Sequence, residues 1–98
     1  MIVCQEMKKL RDILGERDIP WEDKSDDYHS PVRDLWICRT HFSFKNRFVS
    51  VINGAGAYGG FCIEERANEG LLEMMVGNNE PMGHLTADEV FALLEKFT

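Results

Sequence analysis

Arg39 and His41 are side chains that could together hold an anion. They lie in the run DLWICRTHF, rich in aromatic and β-branched residues, and in an extended strand residues two apart share a face. A guanidinium beside an imidazole can give charge-assisted hydrogen bonds to a phosphate. The second candidate is Asn53-Gly54-Ala55-Gly56-Ala57-Tyr58-Gly59-Gly60. Clustered glycines let consecutive backbone amides approach an anion, Tyr58 can stack on a base or ribose, and Asn53 can read a base edge. Gly54, Gly56 and Gly59 spell GxGxxG literally. Phe61-Cys62-Ile63 then reads as a strand, not a helix, and no GKS or GKT follows, so neither a dinucleotide fingerprint nor a P-loop is present. Two readings stay open for this stretch: a glycine-rich loop or bulge that curves a sheet, and a ligand loop. In the second, the ligand-binding set is Arg39, His41, Asn53, Gly54, Gly56, Tyr58, Gly59 and Gly60.

Other reactive residues offer less. His41-Phe42-Ser43 and His84-Leu85-Thr86 are both HxS or HxT, the arrangement in which two-histidine phosphodiesterases set a base and an acid around a phosphodiester. Thr86 has a competing role, since Thr86-Ala87-Asp88-Glu89 is a capping box. Cys4, Cys38 and Cys62 are odd in number and contain no CxxC, so they read as small buried thiols in a reduced, intracellular chain. Cys38 and His41 fall on opposite faces of a strand, which argues against a shared zinc ion. Glu64, Glu65, Glu69, Glu73 and Glu80 read as an acidic surface, although Glu73 sits inside an apolar run. No catalytic residue, metal or cofactor is assigned.

The elements that must position these groups follow from periodicity. Val3, Met7, Leu10 and Leu14, widened by Cys4 and Ile13, predict an amphipathic helix over residues 3 to 14, stopped by a left-handed Gly15. The run WEDKSDDYHSP is acidic and lacks aliphatic side chains, which predicts a mobile solvated loop over residues 22 to 33. A strand is expected over 34 to 44, a tight turn at Lys45-Asn46, and a central return strand over 47 to 53. Gly70 to Val76 is ambiguous between strand and helix, with strand preferred. Val90, Leu93, Leu94 and Phe97 mark a second helix over 87 to 97. The sum is one α+β domain over 1–98, a small antiparallel sheet covered on one face by an N-terminal and a C-terminal helix.

Charge and length narrow the partners. Eleven basic against seventeen acidic residues give a net charge of −6 over 98 residues, which disfavours direct binding of nucleic acid. No apolar run is long enough to span a bilayer, so no membrane partner is expected. Small chains have little core to spare, and the aromatic content suggests self-association into a homo-oligomer.

Several segments also resemble small uncharacterised proteins of phages, prophages and other mobile elements of Firmicutes. They are WEDKSD at 21 to 26, RTHF at 39 to 42, SVINGAGAYGG at 50 to 60, NEGLLEMM at 68 to 75 and GHLTADEV at 83 to 90. In that pattern the position of His84 is often Trp. The resemblance implies a mobile-element origin and an accessory role in the host cytoplasm, and it supplies no catalytic residues. Together with the glycine-rich stretch, it leads to the expectation of a non-enzymatic binding protein that sequesters a small nucleotide signal or blocks a host defence protein. The alternatives are a two-histidine-type phosphodiesterase and an acidic mimic of nucleic acid.

Overall fold

In the computed structural model, residues 3–29, 34–54 and 70–96 are described. Helix α1 (Gln5–Glu16) buries the stripe read from its spacing, with Met7, Leu10 and Leu14 inaccessible to solvent. Its N-terminus is capped by a thiol, as the Sγ of Cys4 accepts the Met7 amide at 3.4 Å. Its end lies beyond the expected stop. Gly15 is inside the helix, and the left-handed residue is Asp18 at φ 56°. The Ile19 amide donates to the Leu14 carbonyl at 2.9 Å and the Asp18 amide to the Gly15 carbonyl at 3.2 Å, a Schellman closure. Its position is set by Ile19, which folds back onto the core where Gly15 would have nothing to bury. Asp tolerates the left-handed region because its short side chain relieves part of the steric cost.

A second correction concerns residues 22 to 33. The expected loop instead supplies the strands β1 (Trp21–Asp23) and β2 (Asp26–His29), while residues 30–33 lie outside those described. Both pair antiparallel with β3 (Asp34–Phe44), whose eleven residues offer an edge long enough for two short partners. Ladder hydrogen bonds hold such strands without an apolar face. Between them Ser25 bends the chain, its hydroxyl accepting the Arg39 amide at 3.0 Å while the Lys24 amide donates to the Arg39 carbonyl at 2.9 Å.

From β3 the chain turns into β4 (Arg47–Gly54) as expected. Lys45 and Asn46 have φ of 49° and 68°, the two positive values that a type I′ turn needs to match strand twist. The stretch left ambiguous is a strand, β5 (Leu72–Val76), and a further strand, β6 (Met82–Leu85), follows across a bulge. The sheet order is β1-β3-β4-β5-β6 with β2 also on β3, so the hairpin occupies its centre.

Strict alternation sends Cys38, Thr40, Phe42 and Phe44, with Val49, Val51, Leu72, Met74 and Val76, to one face. Helices α1 and α2 (Ala87–Lys96) cover that face, the latter through Val90, Phe91 and Leu94. The helices lie parallel. Glu6 accepts the Ala87 amide at 2.8 Å, Lys9 meets Asp88 at 2.9 Å, and Arg17 meets Glu95 at 3.1 Å. The capping box also forms, Thr86 Oγ1 accepting the Glu89 amide and Glu89 Oε1 accepting the Thr86 amide. This is the expected α+β architecture, with two terminal helices over one face of an antiparallel sheet. No helix among the described residues is long and apolar enough to cross a membrane.

Because Asp18 sits exposed in a left-handed conformation, Asp18→Gly should raise the unfolding free energy by about 0.5–1 kcal/mol and Asp18→Val should lower it by at least as much, read from urea melts.

Candidate functional site

The parity that buries Cys38, Thr40 and Phe42 turns Arg39, His41 and Ser43 to the other face of the sheet, which no described helix covers. Arg39 and His41 thus share a face as expected. Across the hairpin His41 pairs with Ser50 and Ser43 with Phe48, and across the edge His41 pairs with Glu22. Phe48 is diagonal to His41, and their rings meet edge to face at 4.9 Å between centroids and 74° between planes. Phe48 is nevertheless 51% exposed, unusual for so large an apolar ring.

A pocket of about 370 Å³ opens here, lined by Pro20, Trp21, Glu22, His41, Phe42, Ser43 and Phe48. That size suits a small organic ligand. A smaller hollow of about 40 Å³ on the same face is lined by Ser50, Ile52, Glu73, Met75 and Pro81. Glu73, read from the sequence as part of an acidic surface, is only 7% exposed and lies opposite Ile52 on β5.

Burial first, then local charge, sets the state of His41. Partial burial, then the positive charges of Arg39 and Lys24, hold its imidazole below the ordinary 6.5, while Glu22 pulls the other way. The ring is therefore mainly neutral at pH 7 and can both donate and accept a hydrogen bond. Glu22 is paired with Lys24 at 3.1 Å, and its side chain is 71% exposed at the pocket rim.

The pocket wall rests on Arg11, which reaches from α1 beneath β1. Its Nε donates to Thr40 Oγ1 at 2.9 Å, and its Nη2 donates to Asp23 Oδ1 at 3.2 Å and to the Arg39 carbonyl at 3.4 Å. Its guanidinium lies 4.7 Å from the centre of the Trp21 ring, a cation–π contact. The same group sits 3.8 Å from the Cys38 sulfur, but burial outweighs it and pushes the thiol up, as it does for Cys4. Both are buried free thiols, unsuited to nucleophilic work.

Other expected site residues are not brought to this face. Asn53 projects into the core side, wholly buried, with its Nδ2 donating to the Leu71 carbonyl at 2.9 Å. It cannot read an edge of a ligand held by Arg39 and His41, because a strand residue of opposite parity faces away. Among the described residues its Oδ1 has no hydrogen-bond partner. Gly54 ends β4 opposite Ile37 at φ 124°, a conformation open to glycine. Gly56, Tyr58, Gly59 and Gly60 lie outside the described residues, as does the strand expected from Phe61. His41 and His84 stand on β3 and β6 with β4 and β5 between them, about 14 Å at the usual strand spacing, so they do not converge. Among the described residues no cluster of His, Cys, Asp and Glu could hold a metal ion.

Glu22, Trp21 and Arg11 were missed by the sequence reading. The signal for β1 was Pro20, which pushes Ile19 out of the helical region, so that Ile19-Pro20-Trp21 reads as a short extended segment. Compared with known proteins, the chain matches no protein family, no curated protein and no solved structure.

Two outcomes test this arrangement. His41 should titrate in NMR spectra with a midpoint below 6.5. The unfolded chain then takes up the proton first, so this group's contribution to stability is complete above 6.5 and is lost as pH falls through that value toward the folded midpoint. His41→Gln should flatten that slope. Arg11→Met, which strips Thr40, Asp23 and Trp21 of one shared partner, should lower the unfolding free energy in urea by about 2–3 kcal/mol.

Proposed function

We propose that this protein is a non-enzymatic binding module that sequesters a small nucleotide against the face of its sheet that no described helix covers. The observation that carries the reading is the 370 Å³ pocket, in which the exposed ring of Phe48 meets the imidazole of His41, two residues along β3 from Arg39 on the same face. A flat, partly apolar ring finds a stacking surface there, and a phosphate finds a guanidinium, an imidazole and the Lys24 ammonium nearby. Binding is favoured over phosphodiester hydrolysis because the two histidines needed for acid and base stand on separated strands. The resemblance to phage and mobile-element proteins supplies the setting: an accessory protein in the host cytoplasm that acts against a nucleotide-based defence.

The test is to incubate the protein with a panel of nucleotide signals, remove the unbound fraction, denature the protein and analyse what is released. Release of intact nucleotide supports sequestration, an altered nucleotide means an enzyme, and no uptake turns the search to a host protein as partner. Arg39→Ala should weaken uptake by about 1.5–3 kcal/mol, the range for a hydrogen bond to a charged group. Unchanged uptake by both Arg39→Ala and Tyr58→Ala would place the site elsewhere.

A further inference from the structure

Resting on that reading of the pocket, we propose that the site selects guanine nucleotides, with the Glu22 carboxylate accepting the two adjacent N–H groups of the guanine edge. Among the described residues of the pocket wall, Glu22 is the one carboxylate and none is a lysine or arginine. A carboxylate accepts hydrogen bonds and donates none, so it rewards a base edge that presents donors only. Guanine offers N1–H beside the 2-amino group, a two-point match to two carboxylate oxygens. Adenine and cytosine set a ring nitrogen lone pair beside their amino group, which a carboxylate repels, and uracil offers a single N–H between two carbonyls.

The placement of Glu22 suits this role. It stands on the edge strand opposite His41, while Phe48 rises from β4, two strand spacings across and two residues along, about 12 Å away. A purine lying between them can touch the aromatic ring and present its edge to the rim. Lys24 holds one carboxylate oxygen of Glu22 at 3.1 Å, and because each oxygen carries two acceptor sites, both can still take an N–H of the base. Two donor contacts to one carboxylate are also directional, so they fix the base in one orientation, with its ribose and phosphate free to extend along β3 toward Arg39.

Calorimetric titration with GMP, IMP and AMP separates this inference from the reading on which it rests. GMP is expected to bind about tenfold or more tighter than AMP, the usual discrimination of a good two-point contact. IMP, which keeps N1–H but lacks the 2-amino group, should fall between them. Glu22→Gln should bring GMP and AMP to within about twofold of each other with unchanged thermal unfolding, since Glu22 is exposed on an edge strand. Equal binding of GMP and AMP, or a guanine preference that survives Glu22→Gln, would overturn the selectivity and leave nucleotide binding standing. No heat and no displacement with any of the three would overturn both.

Discussion

Arg11 joins the two layers of this molecule. A threonine at the centre of a hydrophobic sheet face is costly unless its hydroxyl is paired, and Thr40, fully buried, is paired by the Arg11 Nε and by the sulfur of Met7. The Arg11 side chain is itself only 14% exposed, so its remaining donors must also be used. Asp23, the Arg39 carbonyl and the Trp21 ring use them, and these are the groups that hold β1 against β3. One buried hydroxyl thus determines where the helix sits, where the edge strand docks and where the pocket has its wall.

The two sheet faces carry different chemistry for the same reason. The covered face buries aliphatic side chains and Phe42, Phe44 and Phe91, whose rings pack at 6.3 and 6.4 Å between centroids. The open face keeps Arg39, His41, Ser43, Ser50 and Glu22, with Phe48 and Met75 as its exposed apolar members. Glu22, His41, Ser43 and Phe48 can meet a ligand from the second face, while Trp21 and Phe42, of the other parity, complete the pocket from the side that stabilises the fold.

What the sequence made legible was whatever periodicity records. The stripe of α1, the alternation of β3 and β4, the Lys45-Asn46 turn and the Thr86 capping box all follow from local spacing and backbone preference. The pairing of Arg39 with His41 on one face was legible for that reason. The end of α1 was misplaced because a glycine signal outweighed the tertiary contact of Ile19. β1 and β2 were missed because they are held by backbone pairing to a long neighbour, which leaves no hydrophobic signature, and with β1 went Glu22 and Trp21. Asn53 was placed with the site because its position next to glycines suggested chemistry, whereas its parity with Val49 and Val51 sends it to the core.

The parallel arrangement of α1 and α2 has a mechanical side. Glu6 meets Ala87 at one end of the pair and Arg17 meets Glu95 at the other, so the chain enters α1 and leaves α2 at opposite ends of the helix layer. Tension applied along the chain from residue 5 to residue 96 therefore slides one helix past the other. Sliding loads the contacts of Glu6, Lys9 and Arg17 together, where peeling would load them in turn. A chain drawn through a narrow channel by one end meets the opposite geometry, since pulling on α2 alone lifts it from the sheet turn by turn.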